Sequence, residues 1–480
     1  MLDPANNRVP ELVRHVHLMG ICGTGMAALA CMLQEQGLTV TGSDTGVYPP
    51  MSELLAAAGI PVREGYAAEN LDPAPDLVVV GNVIRAVNPE AEALARLGLP
   101  YLSLPQALAR LFLPGRVPLV VAGTHGKTTT SSMLATVLHT MGENPGCMIG
   151  GVVEAFGRNA RLGGAPWFVV EGDEYDTAFF DKGSKFLHYQ PQHAILTSVE
   201  FDHADIFADL DAVIATFRKF IALIPPEGSL TVCADEALAS ELAGEARCRV
   251  IRYGSHADAD WRLLDCAAQG RDTRFSVEVA GLGVQQFMVP MPGRHNVLNA
   301  MAVLALLHHV GLDLSSAGRA LTSFAGVKRR QQVRGEVGGI TVIDDFAHHP
   351  TAVRETLAAL RLAYPGRRLL CVFEPRTNSS RRRVFQQDYL AAFDSADVVL
   401  LRRPVPLADL PPEAQFSSET LAEGLCGRGH DATCLPDTVA ILASLAGELR
   451  PGDVVAILSN GGFDNIHERL LAQLRVVDPQ

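Results

Sequence analysis

The segment Gly123-Thr124-His125-Gly126-Lys127-Thr128-Thr129-Thr130 packs more chemistry into fewer residues than any other part of this sequence. Apolar Val117–Ala122 ahead of it reads as a strand, and Ser131 to about Met141 behind it reads as a helix. Glycines at such a junction let backbone N–H groups approach a phosphate at a helix N-terminus, which already favours an anion. In that setting a lysine neutralises β/γ oxygens and the following hydroxyl ligates Mg²⁺. Gly123, Thr124, Gly126, Lys127, Thr128 and Thr129 are therefore expected to bind a nucleoside triphosphate. The common loop G-x-x-x-x-G-K-[ST] would want glycine where this chain has Val121, but its Gly126-Lys127-Thr128 ending is intact. A metal carboxylate should follow a second strand, and Trp167-Phe168-Val169-Val170 leads into Glu171-Gly172-Asp173-Glu174. Thr128 and Glu171 are thus the expected Mg²⁺ ligands. A third strand, Ala194–Val199, ends at Glu200-Phe201-Asp202-His203-Ala204-Asp205, where His203 among carboxylates reads as a second-metal or phosphate contact.

A second glycine loop, Gly20-Ile21-Cys22-Gly23-Thr24-Gly25-Met26, lies between the strand His15–Met19 and a helix from Ala27 to Gln36, with Gly37 closing the helix. The dinucleotide fingerprint would place glycines at 20, 22 and 25, whereas this chain has Cys22 and Gly23. After the next strand, Ser43-Asp44 offers a carboxylate to a ribose hydroxyl. Gly20, Cys22, Gly23, Gly25, Ser43 and Asp44 are expected at a nucleotide, and the loop leaves NAD and UDP both open. A nicotinamide-dependent oxidoreductase would need the spacing that Cys22 breaks, and it leaves Lys127 and Glu171 unexplained. A non-hydrolysing nucleotide-binding regulator should lack Lys127, Thr128 or the carboxylate, and all three are present.

The elements that position these residues follow from the wider pattern. A chain of 480 residues needs two to four domains. Apolar runs alternate with amphipathic stretches, the signature of α/β layers. Leu113-Pro114-Gly115 reads as a linker, and the basic cluster Lys328–Arg334 reads as a hinge into a third region beginning near Gly335. Net charge is −13, which argues against nucleic acid and anionic membranes as partners. No apolar run reaches membrane-spanning length, and Met1–Asn7 lacks signal-peptide character. Nine dispersed cysteines with no C-x-x-C pair suggest reduced thiols and a cytoplasmic location. Oligomeric state is left open.

The phosphate loop, the E-x-D-E segment and the D-H-x-D turn, in that order, resemble the Mur ligases, ATP-dependent amide-forming enzymes of peptidoglycan assembly. The resemblance continues through Gly293–Ala300, through Val327-Lys328-Arg329-Arg330, and into Asp344-Asp345-Phe346-Ala347-His348-His349-Pro350-Thr351, covering roughly residues 14 to 475. It implies an α/β fold of three domains: a Rossmann-like UDP-sugar domain over 1–115, a central P-loop ATPase domain over 116–331, and a Rossmann-like domain over 332–480 that binds the amine substrate. Within the family, G-x-x-G-x-G-M and D-D-x-x-H-H-P-T resemble the branch that uses UDP-N-acetylmuramate. Ser43–Ser52, Phe179–Phe186, Glu200–His203 and Ser459–Phe463 are similar to the murein peptide ligase branch. Members of that branch attach L-alanyl-γ-D-glutamyl-meso-diaminopimelate during peptidoglycan recycling. An L-alanine-adding ligase should read Q-P-H-R-Y-T-R where this chain has Glu374-Pro375-Arg376-Thr377-Asn378-Ser379-Ser380-Arg381.

The resemblance also assigns roles. Asn296 and Asn299 fall in the adenine segment, Arg330 matches the γ-phosphate arginine, and Asp345 matches a position for the nucleotide or for second-step contacts. Lys127, His203, Arg330 and His348 are the expected catalytic set. His125, Asn159 and Arg161 are expected at the muramoyl substrate, and Arg376 and Arg381, with Arg382 and Arg383 beside them, at the peptide carboxylates. Several family members carry a carbamylated lysine about fifteen residues after the D-H-x-D histidine. Here arginine (Arg218) stands at that offset and Lys219 one place beyond, so that way of holding a second metal is not expected.

Overall fold

The computed structural model describes residues 2–48, 51–164, 166–408 and 410–477. Met1, residues 478–480, and Pro49 and Pro50 of the Ser43–Ser52 segment lie outside the described residues. The chain divides into two compact units. The first comprises Met1–Val199, Asp211–Ala259 and Ala302–Ser323, and the second Glu200–Leu210, Asp260–Met301 and Phe324–Gln480.

The first unit opens on an all-parallel sheet of β1 (His15–Met19), β2 (Thr39–Asp44), β3 (Val62–Glu64), β4 (Leu77–Val80) and β5 (Tyr101–Ser103), in the order β3-β2-β1-β4-β5. Interior strand β4 is buried along its length, as its continuous Leu-Val-Val-Val run requires when both faces are covered. The helix Pro89–Leu97 starts on an Asn88 cap with proline at its first position and stops at Gly98, φ +63°. Below the sheet, fully buried Glu90 accepts from Ser43 Oγ (2.8 Å) and Asn70 Nδ2 (2.9 Å) and bonds His17 Nε2 (2.7 Å). Burial pushes the Glu90 carboxyl up, but His17, Asn70 and Ser43 outweigh it and hold it below its ordinary range.

The same unit contains a second sheet built on β6 (Val117–Ala122), β7 (Gly146–Val153), β8 (Arg158–Arg161), β9 (Trp167–Gly172), β12 (His193–Leu196), β13 (Ser229–Cys233) and β14 (Arg249–Gly254). The order is β14-β13-β12-β6-β9-β7-β8, with β8 alone antiparallel to its neighbour. A short hairpin, β10 (Asp176–Ala178) and β11 (Asp181–Ser184), follows β9.

In the second unit, β15 (Trp261–Gln269), β16 (Asp272–Val279) and β17 (Gly283–Val289) form an antiparallel meander. Its other sheet runs β18-β19-β23-β20-β21-β22, from β18 (Gln332–Val337), β19 (Ile340–Asp345), β20 (Leu369–Phe373), β21 (Val398–Arg402), β22 (Asp431–Leu435) and β23 (Val454–Leu458). Only the β18–β19 pairing is antiparallel. Alternation along β20 sends Leu369, Cys371 and Phe373 to one core and Leu370 and Val372 to the other, so both faces are covered. The carboxyl ends of β19, β20 and β23 therefore share one edge, where ligands bind in open α/β sheets.

Several strands run further than the sequence suggests. β2 continues to Asp44, β9 to Gly172 and β19 to Asp345, so Asp44, Glu171 and Asp345 are strand residues. The phosphate-loop helix starts at Lys127 instead of Ser131.

Glu90→Ala strands the buried His17 and Ser43 and the half-buried Asn70 together and is expected to cost about 3–5 kcal/mol. Because the folded pKa of Glu90 lies below its ordinary value of 4.5, its contribution is complete above that value and lost as pH falls through the folded one. Urea unfolding of the variant checks this, and a wild-type midpoint at neutral pH would contradict it.

Candidate active site

The carboxyl ends of β6, β9 and β12 build the first cluster. Gly123 sits at φ +132°, where a Cβ would collide with Thr197 Oγ1 and lie 2.9 Å from Ser198 N. Only glycine fits so close to β12. The strand's end holds the loop in turn: Thr124 N–H donates to Ser198 O (3.0 Å) and His125 N–H to Ser198 Oγ (3.0 Å). Gly126, at φ +80°, precedes the helix Lys127–Thr140, and no side chain caps that helix's first N–H groups.

Lys127 Nζ turns back over the loop to Gly123 O (2.6 Å) and Thr124 O (3.2 Å) and pairs with Glu174 at 2.7 and 3.0 Å. Burial alone would depress its pKa, but Glu174, Asp173 and Glu171 hold it above the ordinary value, so the ammonium stays charged. Beside it, Thr128 Oγ1 donates to Glu171 Oε1 (2.8 Å), while Glu171 Oε2 accepts from Gly150 N–H (2.6 Å). A hydroxyl and a carboxylate in contact are hard oxygen donors suited to Mg²⁺. Uncapped helix amides, a glycine that admits no Cβ and a charged lysine suit the β/γ-phosphates of a nucleotide. The residues present fit both groups. Thr129 lies buried one residue further along the helix.

The second cluster surrounds the first glycine loop, which lines a cavity of about 340 Å³ with Gly20, Cys22, Gly23, Gly25 and Asp44. Asp44, expected at a ribose hydroxyl, accepts from the loop amide of Cys22 at 2.8 Å and from Gly46 N–H, two residues after it, at 2.9 Å. Ser43, expected at the substrate, is fully buried, and it does not line the cavity. Its hydroxyl serves Glu90, and its carbonyl accepts from Gly20 N–H (2.8 Å) and Ile21 N–H (3.1 Å), which supports the loop from below. Asn159 Nδ2 reaches Thr24 O at 3.4 Å. Arg161 is not at this cavity. It lines a separate pocket with Glu35, Phe156 and Arg158, its guanidinium 4.9 Å over the Phe156 ring and donating to His139 Nδ1 (3.2 Å) and Asn144 Oδ1.

The remaining expected residues lie in the second unit. His203 adopts φ +54°, and its N–H donates to Asp202 Oδ1 at 2.6 Å. Burial pushes the Asp202 carboxyl up, but His203, His348 and His349 hold it well below the carboxylate range, so His203 and His348 share one acidic neighbour. Burial lowers the pKa of His348, whose Nδ1 is 3.0 Å from Phe346 O. Asp345 accepts from Gln331 N–H and Ala347 N–H, each at 2.7 Å, and burial raises its pKa against the pull of Arg330. Arg330 stacks 4.9 Å from the Phe346 centroid. Asn296 Nδ2 donates to Pro292 O (2.8 Å), and Asn299 Nδ2 to Asn296 Oδ1 (3.4 Å). Arg381 is engaged by the carbonyls of Val405 (3.0 Å) and Thr377 (3.3 Å). Exposed Arg376 lies across Gly461, where a Cβ would collide with its guanidinium.

Glu174, Ser198, Gly150 and Gln331 were not singled out from the sequence. The acidic run Glu171-Gly172-Asp173-Glu174 was visible, but which carboxylate meets Lys127 depends on the turn after β9. Gly150 and Ser198 act largely through backbone atoms and leave no residue-type signal.

Three family domain descriptions match the chain in order: "Mur ligase family, catalytic domain" over residues 15–115, "Mur ligase middle domain" over 121–307, and "Mur ligase, glutamate ligase domain" over 329–461. The Haemophilus influenzae UDP-N-acetylmuramate–L-alanyl-γ-D-glutamyl-meso-2,6-diaminoheptandioate ligase is 39% identical over 468 residues, 97% of this chain and 100% of that protein. The chain belongs to the Mur ligase family. As a Mur ligase it has the three-domain α/β architecture and is an ATP-dependent ligase that forms amide bonds. A UDP-N-acetylmuramate–L-alanine ligase from Streptomyces avermitilis is 38% identical over 470 residues, 97% of this chain and 98% of that one. The crystal structure of a murein peptide ligase from Psychrobacter arcticus superposes with a TM-score of 0.71 at 36% identity, covering 96% of this chain and 98% of that chain. Among the described residues, no helix is long and apolar enough to cross a membrane.

Thr128→Val keeps the shape at Glu171 and removes the hydroxyl. The Mg²⁺ concentration for half-maximal ATP turnover is expected to rise on the order of 10–100-fold. An unchanged Mg²⁺ requirement would remove Thr128 from the metal site.

Proposed function

We propose that this Mur ligase joins L-alanyl-γ-D-glutamyl-meso-diaminopimelate to UDP-N-acetylmuramate at the expense of ATP, in the cytoplasm, during peptidoglycan recycling. The observation that carries the reading is 39% identity over the full length of a ligase of that name, on a chain whose phosphate-loop lysine, hydroxyl and carboxylate are intact. In favour of the tripeptide over L-alanine stands Glu374-Pro375-Arg376-Thr377-Asn378-Ser379-Ser380-Arg381, which departs from Q-P-H-R-Y-T-R. We take 1–115, 116–331 and 332–480 as the segments for UDP-sugar, ATP and peptide.

A carboxylate and an amine do not condense in water without activation. In the proposed reaction a lactyl carboxylate oxygen attacks the γ-phosphorus, giving an acyl-phosphate and ADP. The peptide's free amine then attacks the acyl carbon, and phosphate leaves with the oxygen it gained. The first step brings two anions together, so fixed positive charge is what the protein must supply. Lys127 supplies one such charge, held over the loop by Gly123 O and Glu174. Thr128 and Glu171 would hold Mg²⁺, which offsets phosphate charge when bound. Arg330 is assigned to the γ-phosphate, Asn296, Asn299 and Asp345 to the nucleotide, and Arg376 to a peptide carboxylate. His348 is assigned near the reacting carbonyl. With its pKa lowered by burial, its imidazole is neutral at pH 7 and able to accept a proton.

Phosphate release with ATP, Mg²⁺ and UDP-N-acetylmuramate is expected with the tripeptide and to be at least about tenfold slower with free L-alanine, a difference of about 1.4 kcal/mol in the barrier. The mass of the coupled product identifies the bond. Faster release with L-alanine would make the chain the biosynthetic L-alanine ligase instead.

A further inference from the structure

The glycine-loop cavity has to receive an anion, yet its own walls are poor in positive charge. Its one acidic side chain, Asp44, is engaged by the backbone amides of Cys22 and Gly46. Among the described residues that line it, one alone is basic: Lys185. It does not come from the glycine-loop sheet but from the end of the β10–β11 hairpin that follows the E-x-D-E segment.

That hairpin is firmly docked. Phe180 packs edge-on to Tyr101 of β5 with ring centroids 4.9 Å apart. Asp181 takes Gln106 Nε2 at 3.3 Å and His188 Nε2 at 2.8 Å. Thr177, which also lines the cavity, donates from Oγ1 to Gly183 O at 2.7 Å. Directly after Lys185, fully buried Phe186 is wedged between Phe217 and Phe220. Lys185 N–H donates to Tyr175 O (3.0 Å), and Phe186 N–H to Asp173 O (3.2 Å), so the backbone carrying the lysine is tied to the acidic segment.

Its ammonium is tied there too, to Asp173 Oδ2 at 2.6 Å. The next residue, Glu174, holds Lys127. Two consecutive carboxylates thus present two ammonium groups, one to the phosphate loop and one to the sugar-nucleotide cavity. A UDP-sugar has two kinds of anion, a diphosphate and the muramoyl carboxylate. The diphosphate can be met by loop amides, as at any glycine loop entering a helix. The carboxylate must lie towards the γ-phosphate, the side on which Lys185 stands next to the Lys127 pair.

We propose that Lys185 is a substrate-binding residue that pairs with the carboxylate of the UDP-muramoyl substrate and orients it for attack. The assignment rests on the proposed function. The salt bridge to Asp173 keeps the lysine aimed while leaving N–H donors for a second carboxylate, since an ammonium offers three.

The test is calorimetric binding of UDP-N-acetylmuramate and of UDP, which keeps the diphosphate and lacks the carboxylate, to wild type and Lys185→Gln. The variant is expected to bind UDP-N-acetylmuramate on the order of 10–100-fold more weakly and UDP within about twofold of wild type. Lys185→Arg, which keeps the charge, should recover most of the loss. Lys185→Met, which keeps an unbranched apolar stem and removes the ammonium that lies 5.6 Å from the Tyr175 ring centroid, repeats the test should Lys185→Gln shift the unfolding transition. Equal weakening of both ligands would overturn the assignment in favour of a diphosphate contact, and no weakening of either would leave Lys185 a partner of Asp173 alone. Wild-type protein that binds UDP but not UDP-N-acetylmuramate would overturn the functional reading beneath it.

Discussion

A charged ammonium taken out of water is costly unless fixed partners meet it, and Lys127 is such a group. Around it the first unit supplies two backbone carbonyls of its own loop and both oxygens of Glu174. Those partners come from two places, the loop after β6 and the acidic turn after β9. The register of those parallel neighbours, with Ala122 opposite Gly172, therefore fixes the distance between lysine and carboxylate. From β12 on the other side, Thr197 and Ser198 press on Gly123 so closely that no side chain is tolerated there. The phosphate loop is thus shaped by the strands beside it as much as by its own residues.

The same acidic turn does more than balance one charge. Glu171 faces Thr128, Asp173 faces Lys185 and Glu174 faces Lys127. Three carboxylates within four residues organise the metal ligand, the cavity lysine and the phosphate lysine. This economy is available because β9 ends beside β6, and the chain then turns into the hairpin that packs on Tyr101. The fold positions chemistry by ending parallel strands on one edge and letting short acidic turns distribute the charges.

Much of this was legible in the sequence, because the motifs depend on residue types that few other roles demand. Strands β1 and β6 lie where the sequence placed them: β6 is a continuous apolar run buried over most of its length, and β1 runs straight into the glycine turn that marks its end. Strand ends were less legible. Asp44, Glu171 and Asp345 read as loop residues by polarity, yet backbone pairing carries each strand through them, as with Asp345 opposite Leu458. Side-chain direction was not legible at all. Ser43 and Asp44 are adjacent, but pleating turns one hydroxyl down to Glu90 and the other carboxylate back to the loop. Arg161 shares its strand with Asn159, yet it stacks on Phe156, away from the glycine loop. Lys185 lies in the Phe179–Phe186 stretch that carried the branch resemblance, but nothing in that stretch aimed it at the glycine-loop cavity, and its place follows from where the hairpin docks.

The account's central claim is that a carboxylate is activated by phosphorylation before the amide forms. It is tested most directly by labelling both oxygens of the muramoyl carboxylate with oxygen-18 and weighing the products after coupling with ATP and the tripeptide. The account predicts a single labelled oxygen in each released phosphate, one retained in the amide carbonyl, and unlabelled ADP. Label in AMP, or phosphate released without label, would contradict it.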